Sequence, residues 1–541
     1  MGAVDRVAID SDEVNSSVPT QGVDAGRRMV VSSRPVLFGV VVAGVVGTLV
    51  ATFRYGMGLT PDSVTYVNGA RSLAAGAGYT ASGHAITDFP PGYSWVLSLG
   101  EHAGIHAVDA ARGLSVVALA ATIILGYVLL CRHVRSEGVR AAATVSIGCS
   151  AALLEIYEKA LSEHLFLPVL LVFVLVAEEV LTRPRHGIPA GAMLLLAWVA
   201  FYLRYAGVVL IAVGALVVLV AAWRRGPWSA IARAAGFTIA GLSVPLVWMV
   251  RNLQAGSGAL GPRAGASASI FTNVSRVANE LSTWVGTDAT PSILRRAVLV
   301  VVFGAVAAGV VALVSSDGWS AREERLLLPL ASLVVIYVVY LVGSASVVAF
   351  AAINTRLLVP VFVPVVVLAA WFFERLRVIV RRESVRRAIT AVALAWVGIS
   401  VVWFVARAVD SAQHGAGGYA SPRWHDSQLM REVPHLDLSI PTYSNDAPAI
   451  SFFTNLSVRA SIEKTHFQSA DQTGALPAFV RRVQCLGKVQ LVWFVPNPRP
   501  YMYDPAQLRT KLRLTPVVTR PDGVIYDVEP LQPSNAPCGG P

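Results

Sequence analysis

The sequence predicts an all-α polytopic membrane protein of about eleven spans, followed by a small α/β domain outside the membrane. Three observations predict it. The chain of 541 residues is 55% hydrophobic and 14% charged, where ordinary soluble domains carry about 25% charged residues. Its apolar runs are long enough to cross a hydrocarbon core of about 30 Å, which takes about 20 residues of helix. After about residue 408 this character is lost, and short alternating or β-rich runs such as "KVQLVWFVP" and "GVIYDVEP" appear between turn residues.

The net charge of +11 does not point to nucleic acid. The basic residues, nearly all arginine, fall in short clusters between apolar runs, as the positive-inside rule requires of a membrane protein. Mean hydropathy is +0.59, which argues against a soluble enzyme.

Taken in order, residues 1–35 are polar and of mixed charge, and read as a disordered cytoplasmic tail. The first span starts near Val36. It is too long for a cleaved signal peptide, and no small-residue cleavage pattern closes it. Further spans start near Gly113, Ala141, His164, Ile188, Gly207, Ala234, Ala297, Leu326, Leu357 and Ile389. The third and fifth are short.

Arginines fix the orientation. Arg27, Arg28 and Arg34 precede the first span, and Arg132, Arg135 and Arg140 follow the second. Arg183 and Arg185 follow the fourth, Arg224, Arg225 and Arg233 the sixth, and Arg322 and Arg325 the eighth. Six more, Arg375, Arg377, Arg381, Arg382, Arg386 and Arg387, follow the tenth. Every second loop is basic, which places those loops and the N-terminus in the cytoplasm; Arg295 and Arg296 break the pattern mildly. The module at 36–407 then has a large first outer loop, 54–112, an acidic outer turn "EIYEKALSE", and an outer segment from Arg251 to Arg296. The domain at 408–541 is extracytoplasmic, in a multi-pass protein of the plasma membrane. There a disulfide between Cys485 and Cys538 is one reading and two unpaired thiols the other.

Charged residues at or inside apolar runs are costly, so they carry the information. Asp62 stands about nine residues past the first span, a separation that leaves it just outside the bilayer, where spans end. Behind it Val64, Val67, Ala70, Leu73 and Ala74 have helical spacing, which predicts an amphipathic helix lying flat on the outer surface. Either Asp62 or Thr60 serves as its N-cap, and capping alone would account for the acid. Tyr66 on that helix, and Asp88 and Tyr93 in "HAITDFPPGYSWVLSLG", are candidate substrate contacts; for Asp88 the plain alternative is a loop carboxylate in water. Glu155, Glu158 and Glu163 crowd the second outer turn. Glu163 also suits the positive N-terminal end of the next helix. Arg204, Arg251 and Arg356 stand alone at outer span ends. They serve either as snorkelling groups or as a phosphate site, for which the planar guanidinium fork is suited.

The stretches "PDSVTYVNGARSLAAGAGY" and "DFPPGYSWVLSL" resemble the first-loop signature of the GT-C membrane glycosyltransferases, in the branch of protein O-mannosyltransferases and lipid A aminoarabinose transferases. "ALSEHLFLPVLL", "YLRYAGVVLIAVGAL", "WMVRNLQAGSGALGPR" and "NTRLLVPVFVPVVVLAAW" follow in that family's order, from Val36 to Phe373. The resemblance implies a GT-C-like fold and an inverting transfer of sugar from a polyprenyl-phosphate donor to an envelope glycan, lipid or protein acceptor on the outer face. It implies Asp62 as base, assistance from Glu155, Glu158 or Glu163, and phosphate binding by Arg204, Arg251 and Arg356. No cofactor is implied beyond the lipid-phosphate sugar. Many members carry two adjacent acids in the first loop; here Ser63 follows Asp62, which puts a divalent metal in doubt.

A transporter or flippase of a lipid-linked or small solute is the main rival, and a scaffold whose C-terminal domain binds a partner is a third. Transporters place ionisable groups mid-span and show internal repeats. Here the charges gather at outer boundaries, no repeat is evident, and a scaffold leaves the acidic loops unexplained.

Overall fold

A computed structural model describes residues 33–532, apart from 82, 184–186, 267, 286–292, 294–320, 350, 438, 468–470 and 498. The helices are α1 (Ser33–Ala51), α2 (Pro61–Ala74), α3 (Gly92–His102), α4 (Ala107–His133), α5 (Glu137–Gly148), α6 (Ala151–Tyr157), α7 (Glu163–Thr182) and α8 (Gly187–Leu203). There follow α9 (Val208–Ala222), α10 (Pro227–Gln254), α11 (Ile270–Val285), α12 (Ala321–Val347), α13 (Thr355–Leu358), α14 (Phe362–Ile379) and α15 (Glu383–His414).

Eight helices among the described residues are long and apolar enough to cross a membrane, or nine if α5 and α6 form one span. Those two are bent by 41°. The break is local chemistry: the Ser150 side chain caps the second helix by accepting the Leu153 N–H at 3.3 Å. The run predicted near Ile188 is the 17-residue α8. The span expected near Ala297, the tail at 1–32 and Cys538 lie outside the described residues. The last span runs on to His414, past the expected limit at 407. Three spans are at least half buried, and they begin at Glu163, Tyr205 and Thr355.

The helix α2 does not lie flat on lipid as its amphipathic pattern suggested. Val64, Tyr66, Val67 and Ala70 are buried in protein. On one side it packs against α3, where the Ser94 hydroxyl donates to the Tyr66 carbonyl at 2.9 Å. On another it meets the C-terminal domain through Asn68–Ser451 (3.2 Å) and Arg71–Asn455 (3.1 Å). Amphipathicity fixes that one face is buried, not what buries it.

The C-terminal domain is a mixed sheet of strands β3 (Thr442–Ser444), β4 (Arg459–Ala460), β5 (Val489–Phe494), β6 (Leu512–Arg520) and β7 (Gly523–Pro530), after a short hairpin of β1 (Thr80–Ala81) and β2 (His84–Ala85) in the first loop. Its strand order is β4-β3-β5-β7-β6. The first three are parallel, and β5–β7–β6 are antiparallel. All six residues of β5 are buried, hence its mostly apolar run, in which the polar Gln490 accepts from the Thr442 hydroxyl at 3.3 Å. "APAISFFT" folds as a helix, Ala447–Thr454, with Pro448 in its first turn and Asn455 in the left-handed conformation closing it.

The segment that leads into α2 is clamped on both sides. The Gly58 N–H donates to the Glu158 carbonyl at 2.8 Å, and the Ala160 N–H returns to Gly58 at 2.9 Å. On the other edge the Tyr419 N–H donates to the Leu59 carbonyl at 2.8 Å. Glycine is required at Gly418: its φ is +61°, and a Cβ there would stand 1.9 Å from the Leu59 oxygen. Gly418→Ala is expected to cost about 1–3 kcal/mol, read as a lower thermal midpoint of the purified protein. Gly191→Ala, in helix α8 with open space around it, is the control and should not lower the midpoint. Equal midpoints would contradict the clamp.

Candidate active site

Three of the structure's most enclosed spans converge with α2 on four charged side chains. Arg356 Nη1 meets Asp62 Oδ2 at 2.6 Å, and its Nε meets Glu163 Oε1 at 2.5 Å. Arg204 Nη1 also reaches Glu163 Oε1 at 2.5 Å. Two carboxylates and two guanidiniums make a chain: Asp62, Arg356, Glu163, Arg204. Glu163 has no solvent exposure, whereas a third of the Asp62 side chain is exposed. The buried acid is thus held by two cations, as an ionised carboxylate removed from water must be. Asp62 has one paired cation among the described residues and an open side.

Local structure explains each placement. Helix α2 is capped by Thr60, not Asp62. The Thr60 Oγ1 accepts the Ser63 N–H at 3.2 Å and the Ser63 hydroxyl accepts the Thr60 N–H at 3.0 Å, a reciprocal capping box. Ser63 therefore closes the helix end and leaves the Asp62 carboxylate uncommitted to capping. Glu163 is the first residue of α7, near its positive end. Arg204 sits in extended conformation in the break between α8 and α9. Arg356 lies in α13, whose start is capped by Asn354 and whose Thr355 donates to Glu280 at 3.1 Å.

Polar neighbours complete the cluster. The Ser162 hydroxyl lies 3.1 Å from Arg204 Nη1 and 3.2 Å from the Tyr66 hydroxyl. Burial pushes the Tyr66 phenol up to about 12, against the pull of Arg204 and Arg356. Tyr66 is therefore neutral at physiological pH and able to donate a hydrogen bond. The Tyr93 ring stands edge-on to Tyr66 at 5.2 Å. Its hydroxyl is buried and has no hydrogen-bond partner among the described residues. Burial raises the Asp88 carboxyl, Arg263 opposes that, and the charge of Asp62 adds to it.

The structure does not bring the other candidates into this chain. Glu155 pairs with Lys159 at 2.9 Å, one helical turn away. Glu158 is paired with Arg407 and accepts from Ser411 at 2.8 Å, which ties the acidic turn to α15. Arg251 donates to the Ile86 carbonyl at 2.7 Å and stacks 4.7 Å over Trp248, holding the loop before Asp88. Sequence reasoning missed Arg407, Arg263 and Ser162. Arg407 carried a readable signal, a lone arginine inside an apolar run. Ser162 carried none, since serine is ordinary before a helix. Among the described residues no group of three His, Cys, Asp or Glu side chains is placed to hold a metal ion.

No family model matches the chain, and no curated protein does. Solved structures do match. ArnT from Cupriavidus metallidurans in the apo state aligns with a TM-score of 0.56 at 13% identity, over 91% of this chain and 97% of its own. The same protein bound to undecaprenyl phosphate aligns with a TM-score of 0.55 at 14% identity, over the same shares. At such identity the likeness is one of fold, and it is the GT-C architecture that the resemblance implied.

Stability should separate the two acids. Glu163→Gln leaves two arginines on a neutral amide and is expected to cost about 3–5 kcal/mol, the loss typical of breaking a buried pair. Asp62→Asn is expected to cost under about 1 kcal/mol, as for a partly exposed pair. Thermal unfolding of both variants in detergent checks this; equal losses would contradict it.

Proposed function

We propose that this GT-C-fold membrane protein is a glycosyltransferase. It moves a sugar from a polyprenyl-phosphate donor to an envelope glycan, lipid or protein acceptor at the outer face of the cell membrane, with inversion. The observation that carries the reading is the double grip of Arg356 on Asp62 and Glu163 at one end of the bundle. Support comes from a fold shared with a protein solved in complex with undecaprenyl phosphate, and from the first-loop resemblance around Asp62.

The chemistry follows from the charges. Phosphate arrives as an anion and competes with Asp62 for the Nη side of Arg356, while Glu163 keeps Nε. Arg204 adds a second guanidinium within reach of the same place. The donor's bond between the anomeric carbon and the phosphate oxygen breaks, and its electron pair leaves with the polyprenyl phosphate, stabilised by the arginines. The acceptor hydroxyl oxygen forms the new bond from the opposite face. Its proton passes to Asp62, which phosphate binding has released from its ion pair. Tyr66, neutral and buried beside Ser162, orients that corner through hydrogen bonds. A transporter would place its ionisable groups mid-span; here the four lie at span ends or outside the spans.

The orientation belongs to the same proposal. Cys485 is in a disulfide, which suits an oxidising compartment and therefore the C-terminal domain outside the cytoplasm.

In membranes supplied with a radiolabelled polyprenyl-phosphate sugar, Asp62→Asn is expected to lower transfer about 10²–10⁴-fold, the usual contribution of a general base, with the protein folded. Full activity would remove Asp62 as base. A cysteine placed at exposed Val517 in β6 should react with a membrane-impermeant maleimide in intact cells; labelling only after lysis would reverse the orientation.

A further inference from the structure

At the end of the bundle opposite Asp62, a cavity of about 250 Å³ is lined by Ser136, Val139, Glu374, Arg377, Val378 and Arg386. It lies between the α4–α5 turn, α5, the end of α14 and the start of α15. Its walls hold an oddity. Arg377 Nε is buried and has no hydrogen-bond partner among the described residues; the guanidinium otherwise rests 5.8 Å from the Phe373 ring. Neither Arg377 nor Arg386 is ion-paired among the described residues. The one acid in the lining, Glu374, is occupied elsewhere: its carboxylate accepts the backbone N–H groups of Arg135 at 2.9 Å and Ser136 at 2.5 Å. A buried N–H donor left unpaired is costly, and a cation in a cleft strengthens the demand for an anion.

The surrounding sequence adds to that demand. Six arginines, Arg375, Arg377, Arg381, Arg382, Arg386 and Arg387, stand within the fourteen residues 374–387 against two acids, Glu374 and Glu383. Orientation needs positive charge on this side, but it does not need two of the arginines to face one cavity. Val139 and Val378 give the same cavity an apolar wall.

We propose that this cavity is a binding site for the phosphate group of an anionic membrane phospholipid in the leaflet opposite the Asp62 cluster. The phosphodiester accepts from Arg377 Nε and from Arg386, the Ser136 turn borders the headgroup, and the acyl chains run down the apolar flank of α14. Basic pockets between spans take lipid headgroups in this way, each arginine adding roughly 1 kcal/mol of attraction near the surface. The site is independent of the proposed sugar transfer.

The test uses the full chain in detergent, carried through delipidation and then offered phosphatidylglycerol or phosphatidylcholine, with retained lipid counted by native mass spectrometry. The wild type is expected to retain phosphatidylglycerol in preference to phosphatidylcholine. Arg386→Ala, at an exposed position that folding tolerates, should lower that retention about fivefold, the factor that one arginine's attraction implies. Arg377→Lys, which keeps the charge and removes Nε, should lower it as well, while Arg54→Ala at the other end should not. Equal retention of the two lipids, unchanged retention in Arg386→Ala, or displacement by millimolar inorganic phosphate as effective as by lipid would overturn the proposal. The readout is binding alone, so its outcome does not depend on whether sugar transfer is found.

Discussion

One guanidinium holds the site together. Arg356 binds Asp62 through Nη1 and Glu163 through Nε, so the position of each acid depends on the other through a single planar group. Glu163 is fully enclosed and its charge is tolerable only because Arg204 joins Arg356 on the same oxygen. Asp62, by contrast, is partly open to solvent and, among the described residues, is ion-paired with Arg356 alone. In the proposed transfer this asymmetry divides the labour: one acid anchors the arginines, and the other is released by an incoming anion without exposing a buried charge.

That division requires Asp62 to be delivered from outside the bundle with fixed geometry. Residues 58–59 are held between the acidic turn at 158–160 and the segment at 417–419. The capping box of Thr60 and Ser63 then sets the start of α2. The C-terminal domain contributes directly, because Tyr419 holds the clamp with its N–H and binds Asp446 with its hydroxyl at 2.7 Å. Arg499 meets the same Asp446 oxygen at 2.9 Å. The placement of a first-loop acid thus rests on contacts with residues more than three hundred positions away.

Much of this was legible in the sequence, for physical reasons. Span positions follow from apolar runs, because a bilayer demands a minimum length. Asp62, Glu163, Arg204 and Arg356 stood out because each is an ionisable group beside an apolar run, where chance placement is costly. What stayed hidden was pairing. Glu155, Glu158 and Glu163 look alike in "EIYEKALSE", and only the fold sends the first to Lys159, the second to Arg407 and the third to two arginines. The capping role of Ser63 was hidden too, since Thr60 and Asp62 both suit an N-cap and backbone geometry chooses between them. The bend between α5 and α6 is marked in the sequence only by the capping Ser150, too small a signal to separate a broken span from a short one.

The central claim is that phosphate and Asp62 compete for Arg356. The most direct measurement is a structure of the full chain with undecaprenyl phosphate bound, at a resolution that places side chains. The account predicts phosphate oxygens within hydrogen-bond distance of Arg356 and Arg204, the Arg356–Glu163 contact kept, and the Asp62–Arg356 contact opened. A bound phosphate elsewhere, with Asp62 still paired to Arg356, would contradict it.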